Sequence, residues 1–333
     1  MNCPNSNRET LNENNQNVKN ENNLNSGADS QNQDSIKEKD FVDTLQNFIV
    51  LLGLVKIGFF NIASSPRDQS FDPLSGRIGI LCDMIKDMHA KHSFDFFCVQ
   101  EIRPSGKYSA LQLIMMISEC LNMEFVYQRI NAASNAFYRA TFYSAKFWPY
   151  QTINHYTPNS REPQYGRLAL ECQFMKSDTK ESFGEVGANV SKNIPMISII
   201  NAHAPLDGHK FDYYKLIAEI IHKREEANMV CFGVGDFNKF TEQRGEYDNL
   251  LEETNVVDHV PKESITFVSF PYDLDKAGNI MRSSLDGFIT SRRFADKNNV
   301  KIEIESTDFL AMNEDGILKR PTDHFLMVAG INN

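Results

Sequence analysis

The sequence predicts an α/β protein built as a sandwich of mixed β-sheets, and three observations carry that expectation. From about residue 55 onward, short apolar runs alternate with stretches whose apolar residues recur at helical spacing. In the middle of the chain, strand-like runs at 124–130, 137–143, 146–153 and 165–174 follow one another with no helix between them. A purely parallel, doubly wound sheet needs a crossover after every strand, so hairpin runs beside helical crossovers favour mixed sheets.

Val55–Ile62 reads as the first strand, with Ile57, Phe59 and Asn61 on one face. Ile78, Leu81, Cys82, Ile85 and Met88 predict a helix over about 77–91, and Phe94–Gln100 a buried strand after it. Leu111, Ile114, Met115 and Leu121 mark a second helix. After the middle strands, a hydrophilic loop at 175–193 precedes a strand at 196–202. A helix over 209–226 leads to a strand at 229–235. Further strand-like runs stand at 265–270, 284–290, 300–304 and 325–329.

The 333 residues, 41% of them hydrophobic, allow one large domain or two small ones. Lys and Arg number 34 against 44 Asp and Glu, a formal charge of −10, which argues against a protein that holds nucleic acid mainly by bulk positive charge. An enzyme that meets a polyanion through a metal ion and a few arginines stays open. Residues 1–40 hold 12 asparagines, four basic and seven acidic side chains and almost nothing large and apolar. Such a stretch buries too little surface to offset its conformational entropy, so it is expected to be a disordered, Asn-rich acidic tail. Residues 41–54 read as a linker or short apolar segment, and 55–333 as the folded domain.

The most apolar run, Phe48–Phe60, is interrupted by Lys56 and is shorter than the about 20 residues a membrane-spanning helix needs. It lies behind a polar tail, unlike an ordinary signal peptide, and reads as the lead into the first strand. It is also the one sequence feature that offers a membrane contact. Cys3, Cys82, Cys98, Cys120, Cys172 and Cys231 show no CxxC spacing, which suits reduced, core-filling thiols and a cytoplasmic or nuclear location.

The strand ends carry the chemistry. Asn61 ends the first strand, Gln100-Glu101 the second, Asn201-Ala-His203 the strand after the loop, and Gly235-Asp236-Phe-Asn238 the next. Asp286 stands early in the run 284–290, and Thr322-Asp323-His324 immediately precedes the last strand. Each alone is an ordinary solvated strand end or turn. Gly233-Val-Gly235 fails as a nucleotide loop, because Asn238 stands at the third glycine position and no helix opens there. Together they place carboxylates, asparagines and histidines at the mouths of rigid strands, where a mixed sheet brings N-terminal and C-terminal ends to one edge. Glu101, Asp323 and Asn61 offer hard oxygen ligands for Mg²⁺, Mn²⁺ or Ca²⁺. Asp236 and Asn238, two apart on an extended segment, are expected to point the same way, one toward a water and the other toward a phosphate oxygen. His203 and His324 can move protons near neutral pH.

The ordered set Phe-Asn61-Ile, Val-Gln-Glu101-Ile-Arg103, Ser-Arg161-Glu-Pro, Asn-Ala-His203-Ala-Pro, Gly-Asp236-Phe-Asn238, Leu-Asp286-Gly and Thr-Asp323-His324 resembles the endonuclease/exonuclease/phosphatase superfamily. Arg103 and the Arg-Glu-Pro run are closest to its deoxyribonuclease-I-like branch. The resemblance covers about residues 55–330 and implies a four-layered α/β/β/α sandwich with two mixed sheets. It implies metal-dependent hydrolysis of a phosphoric ester, with Asn61, Glu101 and Asp323 at the metal and Asp236 and Asn238 on the water and the phosphate. His203 and His324 would act in proton transfer or transition-state stabilisation, Asp286 would orient His324, and Arg103 and Arg161 would contact substrate phosphates.

The sequence departs from the branch in three places. Thr322 stands where Ser is commonest. The acid that orients the first histidine is absent from the stretch holding Tyr138, Arg139 and Tyr143, so the partner of His203 is unidentified. The disulfide-bearing loops of secreted deoxyribonucleases are not recognisable. The resulting expectation is an endonuclease of the nucleic-acid backbone, DNA ahead of RNA, with no stable protein partner implied. The rivals are a phosphatase or phospholipase-like hydrolase of inositol phosphates or phospholipid head groups, and a catalytically dead binding module on the same fold.

Overall fold

A computed structural model describes residues 54–62, 74–104, 108–130, 137–155, 169–177, 196–205, 210–239, 243–268, 282–305, 311–312, 318–319 and 322–332. The expected tail, the apolar segment as far as residue 53, most of the hydrophilic loop and Arg161 lie outside the described residues. The chain divides into Met1–Asp40 and Phe41–Asn333, and every described residue belongs to the second unit.

The elements in chain order are β1 (Val55–Asn61), α1 (Leu74–His92), β2 (Phe96–Ile102), α2 (Ala110–Leu121), β3 (Glu124–Ile130), β4 (Phe137–Tyr143), β5 (Phe147–His155) and β6 (Ala169–Lys176). Then come β7 (Met196–His203), α3 (Lys210–Glu226), β8 (Val230–Asp236), α4 (Arg244–Glu253), β9 (Val256–Asp258), β10 (Phe267–Val268) and β11 (Arg282–Ser283). β12 (Asp286–Ser291), α5 (Arg292–Ala295), β13 (Asn299–Glu305), β14 (Ala311–Met312), β15 (Leu318–Lys319) and β16 (Leu326–Asn332) follow.

Two six-stranded sheets form, in the orders β13-β16-β1-β2-β4-β3 and β5-β6-β7-β8-β12-β9. Each is mixed and contains one parallel pair, β1 with β2 and β7 with β8, joined by the crossovers α1 and α3. Their other neighbours pair antiparallel.

Side-chain alternation decides the layering. Ile57, Phe59, Phe96, Cys98 and Met327 of the first sheet meet Leu170, Cys172, Phe174, Ile199, Phe232 and Phe288 of the second in one core. Phe96 packs its ring 4.5 Å from that of Phe147 and 4.9 Å from that of Phe174. Burying one such ring contributes about 2–3 kcal/mol of transfer free energy. The alternate residues Phe60, Phe97, Val99 and Phe142 face outward onto Ile78, Leu81 and Ile85 of α1 and Leu113 and Ile117 of α2. On the far side, Ile200, Ala202 and Ile289 lie under Tyr213, Ile217 and Ile221 of α3 and Leu250 of α4. The result is helix, sheet, sheet, helix, the four layers that the sequence resemblance implies.

Local chemistry sets the ends of α2: the Ser109 hydroxyl accepts from the Gln112 N–H, the Gln112 side chain accepts from the Ser109 N–H, and Asn122 closes the helix in the left-handed region. The second strand runs to Ile102, past the expected end at Gln100, because a bulge between Val99 and Ile102 lets the ladder to β4 continue. α4 and β9 are additions to the expected elements. Tyr247, Leu250 and Leu251 give α4 a stripe too short to stand out in the sequence. The described cysteines are all free, and no helix among the described residues is long and apolar enough to cross a membrane.

Candidate active site

Strand register assembles most of the site. Parallel pairing of β7 with β8 sets His203 opposite Asp236, and antiparallel pairing of β8 with β12 sets Asp236 opposite Asp286. Three titratable residues from three neighbouring strands therefore stand in one row. In the first sheet Asn61 follows Ile57 and Phe59 on the core face, so its side chain reaches across to the second sheet. Its Nδ2 donates to Asp236 Oδ2 at 2.9 Å. The Thr322 hydroxyl donates to the Asn61 carbonyl at 2.8 Å and holds the Thr322–His324 segment against the end of β1.

Glycine is required beside the central carboxylate. Gly235 has φ +132°, and a Cβ there would lie 2.1 Å from the Ala202 carbonyl oxygen of β7. Glu101 sits on the β2 bulge at φ +55°, a left-handed conformation that turns its carboxylate out of the strand's own alternation and toward His203.

Acid and imidazole alternate across the site. His203 Nε2 lies 3.3 Å from Glu101 Oε1 and 3.6 Å from Asp236 Oδ2. His324 Nε2 lies 3.7 Å from Asp236 Oδ2 and 4.0 Å from Asp323 Oδ1. His324 Nδ1 pairs with Asp286 Oδ2 at 3.0 Å, an arrangement that places the Nδ1 proton toward the carboxylate. Both rings have an aromatic edge neighbour, Phe137 for His203 and Phe267 for His324.

Burial is the largest influence on Asp236 and pushes its carboxyl up to about 6, with Asp286 adding to the rise and His324, Asn238 and Asn61 opposing it. Burial alone would lower His324, yet Asp286, Asp236 and Asp323 outweigh it and hold the imidazole up to about 10. A histidine raised in the folded state stabilises the fold fully below its unfolded pKa of about 6.5, and that contribution drains away as pH rises toward 10. The metal-free protein should therefore lose on the order of 5 °C of melting temperature between pH 7 and pH 10 through His324. Thermal melts of wild type and His324→Gln in chelator test this, and equal slopes in the two proteins would remove the assignment.

Asn61, Glu101, His203, Asp236, Asn238, Asp286, Asp323 and His324 thus lie at one edge of the two sheets. Arg103 stands beside them, its guanidinium 4.0 Å from Glu101 Oε2 and 5.5 Å from the centre of the Phe137 ring. Arg161 lies outside the described residues. One expectation is corrected. The segment from Asp236 to Asn238 is not extended, because Asn238 adopts φ +50° and its N–H donates to Asp236 Oδ1 at 2.8 Å. Asp236 so closes a turn on its own backbone, and Asn238 Nδ2 donates to the Ala204 carbonyl at 2.6 Å.

Two carboxylates face His203 Nε2, Glu101 from the bulge and Asp236 from β8, and neither comes from β4. Arg139 of β4 is fully buried and donates Nη1 to the Asn201 carbonyl at 3.1 Å. Other residues support the site, and of these Tyr213, Tyr214 and Thr266 were not singled out in the sequence. Gln100 Nε2 donates to Asn201 Oδ1 at 2.9 Å and joins the two sheets beneath the site. Tyr213 accepts from the His203 N–H at 3.0 Å, and Tyr214 donates to the Phe237 carbonyl. Thr266 Oγ1 accepts from the Leu285 and Asp286 N–H groups at 2.9 and 3.1 Å. Gln100 and Asn201 had a visible signal, polar side chains inside otherwise apolar strands; the tyrosines and Thr266 had none.

The donor set Asn61, Glu101 and Asp323 offers oxygen alone, the chemistry of Mg²⁺, Mn²⁺ or Ca²⁺. Asp323 Oδ1 is buried with no hydrogen-bond partner, as a ligand atom for a cation would be. A second His/carboxylate group, His92, Glu303 and Glu305, lies elsewhere, with ligand atoms within 4.8 Å of one another. It is closed by its own pairs: His92 and Lys91 meet Glu305 Oε1 at 2.6 and 2.7 Å, and Lys301 meets Glu303 at 2.8 Å.

No family model and no curated protein matches the sequence. Solved structures do match. An endonuclease/exonuclease/phosphatase family protein from Bacteroides thetaiotaomicron is similar at a TM-score of 0.58 and 17% identity, over 84% of this chain and 97% of that one. A mannosyl-6-phosphatase from Bacteroides thetaiotaomicron is similar at 0.59 and 17%, over 84% and 100%. TDP2 from D. rerio, complexed with a single-strand DNA product, is similar at 0.53 and 13%, over 84% and 100%. At these identities the likeness is one of fold: the two mixed sheets between helical layers are an α/β/β/α sandwich shared with those structures.

Proposed function

We propose that the chain is a divalent-metal-dependent phosphodiesterase that hydrolyses a nucleic-acid backbone as an endonuclease, DNA ahead of RNA. The observation that carries this reading is the convergence on Asp236 Oδ2, which Asn61 Nδ2, His203 Nε2 and His324 Nε2 approach at 2.9, 3.6 and 3.7 Å. A carboxylate gripped by an amide and flanked by two imidazoles is built to hold a water against a phosphorus atom.

Asn61, Glu101 and Asp323 would hold the cation, Mg²⁺ first and Mn²⁺ or Ca²⁺ as alternatives. Bound there, a hard divalent cation supplies Lewis-acid neutralisation of the charge growing on the phosphoryl oxygens. Asp236 takes the proton of the attacking water, and its raised pKa of about 6 makes it a stronger base than an ordinary carboxylate. Asn238 gives one amide hydrogen to Ala204 and keeps the other for a phosphoryl oxygen. His324, held up to about 10, is an imidazolium at neutral pH and donates from Nε2, while Asp286 fixes its Nδ1. His203 beside Glu101 passes a proton to the leaving oxygen. Arg103, and Arg161 from outside the described residues, would hold flanking phosphates, which a polymer has and a small monoester lacks.

A phosphatase of inositol phosphates or a phospholipase-like hydrolase of phospholipid head groups is the second reading, its phosphatase form supported by the likeness to a mannosyl-6-phosphatase. A dead binding module is disfavoured because every expected metal and histidine position is occupied. The test is product analysis with labelled single- and double-stranded DNA and RNA, beside phosphate release from sugar and inositol phosphates. With Mg²⁺, cleavage of DNA is expected, abolished by chelator and restored by excess Mg²⁺. Phosphate release without DNA cleavage would establish the second reading. Inactivity on every substrate, with no divalent binding by calorimetry, would establish the third.

A further inference from the structure

We infer that Lys239 is a positioning residue: its buried ammonium, held by Asp258, clamps the turn from Asp236 to Asn238 in the geometry the site uses. The inference rests on the phosphodiesterase reading for its kinetic consequence and on the fold alone for its structural one.

Lys239 follows Asn238 directly, and its side chain is 0% exposed, paired with an Asp258 side chain that is 2% exposed. Placing an ammonium there costs several kcal/mol unless a partner and further hydrogen bonds offset it. The offset centres on the Asp258 carboxylate. Lys239 Nζ donates to Asp258 Oδ2 at 2.6 Å, and the Tyr247 hydroxyl donates to the same oxygen at 3.1 Å. Asp258 Oδ1 accepts from the Val260 and Phe288 N–H groups at 3.0 and 3.1 Å. The ammonium also lies 5.5 Å from the centre of the Tyr247 ring. Because Phe288 is two residues beyond Asp286 on β12, one carboxylate ties the turn to β9, β12 and α4 together.

The turn gains from such an anchor. Asn238 is left-handed at φ +50°, a conformation that Asn adopts more readily than other L-residues but that still has to be selected over the extended alternative. On the near side β8 holds it, helped by Phe237, whose N–H donates to Leu285 O at 3.0 Å and whose ring packs where a Cβ on Gly287 would lie 2.8 Å away. On the far side, Lys239 is held by its bond to Asp258. Releasing it lets Asn238 relax, loosens the Asn238 N–H bond to Asp236 Oδ1, and misaims both side chains. A displacement of about 1 Å at such groups costs up to about 10²-fold in rate.

A packing role and a positioning role separate in the double variant Lys239→Met/Asp258→Asn, which removes both charges while the amide oxygen can still accept from the Val260 and Phe288 N–H groups. The readouts are melting temperature, kcat and KM on DNA with Mg²⁺, and amide hydrogen exchange at Asn238. The expected result is a melting temperature within a few degrees of wild type, kcat lower by about tenfold or more, KM within about twofold, and Asn238 exchange faster by about tenfold. Tyr247→Phe removes one hydrogen bond from the same carboxylate without opening a cavity and should give about a two- to threefold change in the same direction. Wild-type kcat and wild-type exchange in the double variant overturn the inference. If the double variant does not fold, unchanged kcat and exchange in Tyr247→Phe overturn it instead. A wild-type protein that hydrolyses no phosphoric ester defeats the functional reading alone, and the exchange comparison still decides the clamp.

Discussion

Replacing Asp236 by Asn is expected to lower turnover by about 10³-fold or more while the protein stays folded. The exchange keeps the size of the side chain and one acceptor oxygen, so one of the two bonds, from Asn61 Nδ2 or from the Asn238 N–H, is retained. It removes the base and the negative charge on which His203 and His324 converge. Stability should not fall with activity, because burial makes the ionised Asp236 costly, as its carboxyl raised to about 6 records. A raised carboxyl contributes stability below its unfolded pKa and loses it as pH climbs through 6, so a neutral amide escapes that loss at pH 7. Turnover on labelled DNA beside a thermal melt tests both halves. Near wild-type hydrolysis in a folded variant would remove Asp236 from the mechanism.

Replacing His324 by Gln should cost about 10²–10³-fold in turnover with a small change in KM, because an imidazolium donor acts mainly on charge that appears in the transition state. Gln can donate a neutral hydrogen bond but cannot carry the positive charge that Asp286, Asp236 and Asp323 maintain on the ring. The partner substitution Asp286→Asn should reproduce part of the loss and add little in the double variant, since Asp286 acts through Nδ1 of the same ring. Strictly additive losses in the kinetic cycle would show that Asp286 works independently of His324.

Both substitutions test residues that are legible in the sequence. Asn61, Glu101, His203, Asp236, Asn238, Asp286, Asp323 and His324 stood out because polar groups closed apolar runs whose strand period was plain. The elements that bear them appeared near their expected limits for the same reason: β4 over Phe137–Tyr143 and β7 over Met196–His203 are short runs buried along nearly their whole length. Where local pattern was weak, the reading stopped. α4 shows only a short apolar stripe, and β9 is three residues long. The acidic partner of His203 was sought on the Tyr138–Tyr143 segment, whereas a bulge on β2 delivers Glu101.

The sequence by itself determined the fold class, the alternation that sorts three apolar layers, and the order of the residues at the strand mouths. These follow from periodicity and local chemistry, which a linear chain displays in full. Only the tertiary structure decided that His203, Asp236 and Asp286 share one row, that Asn238 turns left-handed, and that Asp258 pairs with Lys239. It alone also decided that one histidine is held up to about 10 and one carboxyl up to about 6. Strand register and burial are sums over residues far apart in the chain, and no window of sequence contains them.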